Sequence, residues 1–218
     1  MSNTLRTFNN GLLIFFEGMD GTGKTTQLQC AADALTAQGW MVRTARSHGG
    51  SPFGEALRKV SLAAIRRPAL SDMHVSLAMH AALLEEVMLW RQEGAIILVD
   101  RGPLSIVAYQ CYADGADPKL VWPAVKADLA QFKPDATIIY DASVATAMER
   151  ARHKSHGGSD YFESKGVSYF ERVKAGFLAA AERFDCVVIS SEAADIDQVA
   201  ARTQATIHDV LNVESAQA

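Results

Sequence analysis

Positions 18 to 25 read Gly-Met-Asp-Gly-Thr-Gly-Lys-Thr and satisfy G-x-x-x-x-G-K-[ST] at every fixed position. Glycines there let successive backbone N–H groups turn inward around phosphate oxygens. A helix opening at the end of the motif adds the positive end of its dipole. The Lys24 ammonium can then reach the β- and γ-phosphates of a nucleoside triphosphate, and the Thr25 hydroxyl suits Mg²⁺. The predicted phosphate-binding set is Gly18, Met19, Asp20, Gly21, Thr22, Gly23, Lys24, Thr25 and Thr26. The competing explanation is a plain glycine-rich turn. This spacing arises by chance in about one chain of this length in a hundred, and the strand before and helix after lower that further.

A second constellation, Asp100-Arg101, ends the apolar run Ala95–Asp100. A carboxylate there could hold Mg²⁺ or its waters, and the adjacent guanidinium suits bidentate phosphate binding. The pair could also do no more than cap a strand end. A third group, Arg150, Arg152, His153 and Lys154, leads into a polar stretch, Lys154–Gly166, with Gly157, Gly158 and Gly166. Phosphoryl transfer needs positive charge on the migrating group and exclusion of water; a glycine-containing lid carrying arginines would provide both. Arg150 and Arg152 are two apart, so they share no helical face, though both could reach one ligand if the helix frays there. The alternative is a solvated basic helix end favoured by the dipole.

These residues need elements to place them. Short apolar runs predict strands at Leu12–Glu17, Trp40–Ala45, Ala95–Asp100, Ala136–Asp141 and Cys186–Ser190. Helical spacing predicts helices at Thr25–Gln38, Glu55–Ile65, Ser71–Arg91 with Ser71 as N-cap, Leu104–Tyr112, and from Pro118 toward Phe132, with Pro123 a possible break. Further helices are expected from Ser143 to about His153, over Val167–Arg183 and over Ile196–Leu211, with a frayed tail at Asn212–Ala218. Strands alternating with helices predict an α/β fold, a parallel five-stranded sheet with helices on both faces. In such sheets ligands sit beyond the carboxyl ends of the strands. Functional residues are therefore expected at Glu17–Gly18, Arg46, Asp100–Arg101 and Asp141–Ser143.

Composition sets the outer limits. The 218 residues are 49% hydrophobic and 21% charged, which fits one globular domain over 1–218 with a mobile lid at about 150–166. A formal net charge of −4 argues against a nucleic-acid partner. Cys30, Cys111 and Cys186 form no C-x-x-C pair and read as reduced core residues of a cytoplasmic protein. The longest apolar runs are too short to span a membrane, and the first residues lack a signal-peptide pattern.

Several stretches together resemble the thymidylate kinase family of P-loop nucleoside monophosphate kinases. Phe16 to Thr26 (FEGMDGTGKTT) is similar to that family's F-E-G-x-D-G-x-G-K-T-T. Arg46 with Gly49-Gly50-Ser51-Pro52-Phe53-Gly54-Glu55 is similar to R-E-P-G-G-T-P-x-G-E. Asp100-Arg101 with Ser105, Ala108, Tyr109 and Gln110 resembles D-R-Y-x-x-S-x-x-A-Y-Q. Asp160, Glu163, Phe170, Glu171, Arg172 and Val173 resemble the stretch after its lid. The resemblance implies Mg²⁺-dependent phosphoryl transfer from ATP to dTMP by a homodimer. It assigns Lys24, Asp20, Arg101, Arg150 and Arg152 to catalysis, with the two lid arginines stabilising the transferring group. Acceptor binding falls to Asp20, Arg46, His80, Arg101, Ser105 and Tyr109, and the metal to Thr25 and Asp100.

Six positions depart from the family pattern. Its Glu-Pro is Ser47-His48 here, its Tyr after Asp-Arg is Gly102, and its lid Asp-Arg is Asp160-Tyr161. The Phe and Arg that stack on and read thymine align with Ser76 and His80. Loss of a stacking ring would weaken base binding by about 1–3 kcal/mol. His80 either replaces the arginine with a hydrogen bond or is a half-buried histidine. The departures keep two alternatives open: another or modified pyrimidine monophosphate as acceptor, and a nucleotide-binding paralogue without kinase activity.

Overall fold

The structure is a computed structural model that describes residues 5–63, 65, 67–154 and 165–217. Most of the expected lid, together with Asp160, Tyr161 and Glu163, lies outside the described residues.

The strands are β1 (Leu12–Gly18), β2 (Val42–Arg46), β3 (Ile96–Asp100), β4 (Ala136–Asp141) and β5 (Val187–Ser190). They form one sheet of order β2-β3-β1-β4-β5, parallel at every pairing. β1 lies at the centre and is buried throughout, as a strand of parallel sheet covered on both faces must be. Its alternate residues serve two cores. Leu12, Ile14 and Phe16 pack with α1 (Lys24–Ala37) and α8 (Ile196–Gln217) through Leu28, Leu35, Val199 and Ile207. Leu13 and Phe15 pack with α3 (Ala69–Gln92) and α5 (Pro118–Phe132) through Leu83, Val87 and Phe132. Each such side chain contributes roughly 1.5–3 kcal/mol by leaving water. The remaining helices are α2 (Pro52–Leu62), α4 (Leu104–Ile106), α6 (Val144–Lys154) and α7 (Val167–Phe184).

Several boundaries differ from expectation for local reasons. β2 starts at Val42 because Trp40 pairs in an isolated bridge with Arg6 and stacks on Phe8 at 4.7 Å between centroids. α2 starts three residues early: Ser51 caps it, its hydroxyl accepting the Gly54 N–H at 3.0 Å. α3 starts at Ala69 with Pro68 at the cap position, so Ser71 lies within its first turn. Pro123 does not break α5, which runs on to Phe132. The last helix continues through Gln217, where fraying was expected from Asn212. The expected helix at Leu104–Tyr112 is one short α-turn that widens into a π-helical stretch, Val107–Ala113. Such insertions recur at functional sites, and this one carries Tyr109.

Candidate active site

The turn from β1 into α1 depends on glycines in the left-handed region, with φ of 134° at Gly18, 83° at Gly21 and 90° at Gly23. A Cβ at Gly21 would lie 1.9 Å from the Ala147 carbonyl oxygen, so no side chain fits beneath the loop. Inside it the Thr22 hydroxyl donates to the Met19 carbonyl at 2.8 Å. The Met19 side chain packs in the core, leaving only its backbone to a ligand. Lys24 is almost fully buried; its Nζ donates to the Met19 carbonyl at 3.4 Å and to the Asp20 carboxylate at 3.3 Å. Burial and the nearby Arg101 charge push the Lys24 ammonium below its ordinary pKa, while Asp20 works upward.

Arg101 lies one residue past β3 and holds a left-handed φ of 68°, uncommon for a side-chain-bearing residue. Its N–H donates to the Phe16 carbonyl at 2.8 Å, which ties the turn to β1. Its guanidinium donates to Asp20 at 2.6 Å, to the Ser105 hydroxyl at 3.2 Å and to the Tyr109 hydroxyl at 3.3 Å. Burial works against the charged guanidinium, but Asp20, Tyr109 and Asp100 outweigh it and raise its pKa well above the ordinary value. In turn Arg101 and Lys24 overcome desolvation at Asp20 and hold its carboxyl far below the usual range. Tyr109 is shifted upward, chiefly by burial, and stays a neutral phenol.

Two cavities meet at Asp20, Lys24 and Thr25. The larger, about 1150 Å³, runs under the phosphate loop between Met148, Phe170, Ile196 and Val199. The smaller, about 510 Å³, is walled by Arg46, Arg58, Asp100 and Arg101. Arg46 donates to Glu55 at 2.7 Å across its mouth. Arg150 and Arg152 both border the larger cavity although α6 runs unfrayed as far as Lys154. Arg150 donates to the Ser191 carbonyl at 3.0 Å, and the Ser191 hydroxyl donates to the Thr22 carbonyl at 3.0 Å, so this arginine is docked beside the phosphate loop. At the metal candidates, the Thr25 hydroxyl donates to Asp100 Oδ2 at 2.5 Å. The other oxygen, Asp100 Oδ1, is buried with no hydrogen-bond partner and is of the type that a hard cation takes as ligand. Thr25 and Asp100 therefore fit Mg²⁺, which would be completed by phosphate oxygens and water.

Three acceptor candidates sit deeper than expected. Ser105 is 1% exposed, behind Arg101. Tyr109 is buried, with its hydroxyl 3.4 Å from Asp20. His80 is fully buried rather than half-buried, its Nδ1 2.5 Å from Asp128 Oδ2 and its Nε2 without a partner. Beside it lies His48, whose ring meets that of His80 edge-on at 5.7 Å. His48 Nε2 lies 3.2 Å from the Ser76 hydroxyl, and the His48 carbonyl accepts from Arg58 at 2.8 Å. Burial, then His80, Arg101 and Arg58, push the His48 imidazole well below its ordinary pKa, so it is neutral. Gly102, where the family pattern has a tyrosine, sits against β1: a Cβ there would come within 2.7 Å of the Phe15 ring.

Sequence reasoning did not single out Arg58, Ser191 or Met148 as site residues. Arg58 carried a readable signal, a basic residue one helical turn after Glu55 on the helix that follows Arg46. Ser191 and Met148 carried none.

A phosphate loop after the central strand of a parallel sheet, with a cavity on each side of its lysine, is the arrangement of a P-loop phosphotransferase. The family model described as thymidylate kinase matches residues 16–202, and the chain belongs to that family. It is similar to the thymidylate kinase of Caulobacter vibrioides, 37% identical over 199 residues, covering 88% of this chain and 93% of that one. The thymidylate kinase of Nitrobacter winogradskyi is 30% identical over 213 residues, covering 91% and 89%. Among solved structures, the thymidylate kinase of Ehrlichia chaffeensis superposes with a TM-score of 0.72 at 24% identity, covering 91% of this chain and 99% of that one, which shows a shared fold.

Proposed function

We propose that this chain is a dTMP kinase: it transfers the γ-phosphoryl group of ATP to the phosphate of dTMP, releasing ADP and dTDP. The observation that carries this reading is the pair of cavities meeting at Lys24 and Asp20, one for each nucleotide. ATP lies in the larger cavity, its phosphates on the N–H groups of the Gly18–Thr26 turn and on Lys24. Its base lies between Met148, Phe170 and Ile196. The acceptor phosphate sits on Arg101, with Arg46 and Arg58 adding charge at the mouth of the smaller cavity. Attack by an acceptor phosphate oxygen on the γ-phosphorus needs in-line positioning and charge stabilisation and no strong base. Arg150 and Arg152 supply positive charge from the donor side. Thr25 and Asp100 would hold Mg²⁺, which would supply charge neutralisation on the donor phosphates.

The reading extends to the whole molecule. Residues 1–218 form a single domain with its lid at about 150–166. The protein is a cytoplasmic homodimer with no membrane or nucleic-acid partner. No helix among the described residues is long and apolar enough to cross a membrane. Exposed Phe53 and Val60 on α2 and Met88 and Leu89 on α3 supply apolar surface for a second copy.

A second reading keeps the reaction and changes the acceptor base. The pairing of His48 with Ser76, backed by His80 and Asp128, favours it: polar residues stand at the positions that align with the family's base-reading Phe and Arg. Exchange of Arg101 for alanine tests the shared core. It should raise the dTMP KM and lower kcat, reducing kcat/KM by roughly 10²-fold, with the ATP KM nearly unchanged. A change confined to ATP would remove Arg101 from the acceptor phosphate.

A further inference from the structure

One fully buried acid has no part in the proposed chemistry. Glu17 is the penultimate residue of β1 and is 0% exposed. It shares the face of Leu13 and Phe15, so its carboxylate enters the space between the sheet and the turn that follows β3. There it accepts three hydrogen bonds. Oε1 takes the N–H of Gly102 at 2.9 Å and that of Ser105 at 3.1 Å; Oε2 takes the Ser105 hydroxyl at 2.7 Å. All three donors belong to the four residues that immediately follow Arg101.

We propose that Glu17 is a positioning residue for phosphoryl transfer, holding Arg101 at the acceptor side of the cleft through the Ser105 hydroxyl and the Gly102–Ser105 turn. The inference rests on the reading of Arg101 as the ligand of the acceptor phosphate. Three observations support it. Arg101 holds a left-handed backbone angle, which persists only where the surroundings over-determine it. Its own N–H is bonded to Phe16, so β1 grips the turn from two consecutive residues. The Ser105 hydroxyl donates to Glu17 and accepts from the Arg101 guanidinium, a two-bond chain from buried acid to cleft arginine. With its hydrogen committed to Glu17, the hydroxyl presents a lone pair toward Arg101. A glutamine at position 17 keeps the shape and the two backbone bonds. Its amide offers hydrogens where Oε2 accepted one, so the hydroxyl must reorient and Arg101 loses a fixed acceptor.

The experiment is a double-mutant cycle read by calorimetric binding of dTMP, and separately of ATP, to the wild type, Glu17→Gln, Arg101→Ala and the double variant. In the wild-type background Glu17→Gln should weaken dTMP binding about ten-fold, and in the Arg101→Ala background less than about two-fold. ATP binding should stay within about two-fold in all four proteins. Should Glu17→Gln fail to fold, Ser105→Ala takes its place, with the same expected dTMP loss and the same disappearance of that loss beside Arg101→Ala. Equal loss of dTMP and ATP affinity would make Glu17 merely structural and overturn the proposal. So would a dTMP loss that persists unchanged without Arg101. Tight dTMP binding by both wild type and Glu17→Gln would sink the inference while sparing the dTMP kinase reading. A wild type that binds ATP but no dTMP would sink both.

Discussion

At the scale of single residues, Glu17 separates what the fold needs from what the site needs. Burial pushes its carboxyl up to about 7 from 4.5, against the downward pull of Ser105 and Arg101. A raised acid pKa means that the folded chain holds this proton to higher pH than the unfolded chain does. The contribution to stability is therefore complete below about pH 4.5 and is lost as pH rises through about 7. Glutamine carries no such titration. The stability of the wild type minus that of Glu17→Gln should fall by about 3 kcal/mol between pH 4.5 and pH 8, measured by urea unfolding. A difference that stays constant with pH would contradict the burial account. Above pH 7 glutamine should be the more comfortable core residue, which leaves the presence of a carboxylate to be explained by Arg101.

His48 and His80 show where reading single residues from sequence stopped. Ser76 and His80 lie four apart on one helix, and that much was visible. The partner that fixes His80 is Asp128, 48 positions away on α5, and only the packing of α3 on α5 joins them. The adjacent imidazole of His48 comes from the loop after β2. Long-range pairs of this kind leave no periodic trace, so sequence left His80 open between a base contact and a half-buried histidine, and the structure buries it fully against Asp128.

At the scale of elements, the phosphate loop is a backbone device and its weak point is Gly21. Alanine there would combine a strained positive φ with a Cβ 1.9 Å from the Ala147 carbonyl oxygen. The substitution should push the loop off α6, weakening ATP binding by at least ten-fold and lowering stability by roughly 1–3 kcal/mol. Calorimetry with ATP and thermal melting check the two effects separately; wild-type ATP affinity would refute the packing argument. β1, β3, β4 and β5 were legible because each is a short apolar run bounded by turn residues, whereas β2 reads Val-Arg-Thr-Ala-Arg and carries only part of that signal. Caps at Ser51, Asp117 and Ser143 all accept backbone N–H groups, but only the helix starts beside the last two were anticipated. The first was hidden by the Pro52-Phe53-Gly54 sequence, which reads as loop. The π-helical stretch at Val107–Ala113 carries no such signature, since its residues suit an ordinary α-helix equally well.

At the scale of the whole molecule, a chain of net charge −4 gathers Lys24, Arg46, Arg58, Arg101, Arg150 and Arg152 around two joined cavities. Focusing of this kind attracts small polyanions while the outer surface stays acidic. The carboxyl ends of β1, β2 and β3 deliver Gly18, Arg46 and Arg101 to the same edge, as parallel sheets of this class require. The phosphate loop was legible from sequence alone because it is contiguous. The smaller cavity is walled by residues of β2, the loop after it, α2 and the turn after β3, and that grouping emerged only when those pieces were brought together.

The most direct measurement follows ADP release by the purified protein with Mg²⁺, ATP and each common nucleoside monophosphate in turn, beside a Lys24→Ala control. The dTMP kinase account predicts the highest kcat/KM for dTMP, with dTDP as product, and turnover at least about 10³-fold lower in Lys24→Ala. Equal turnover by the control, or retained ATP binding without transfer to any acceptor, would contradict it.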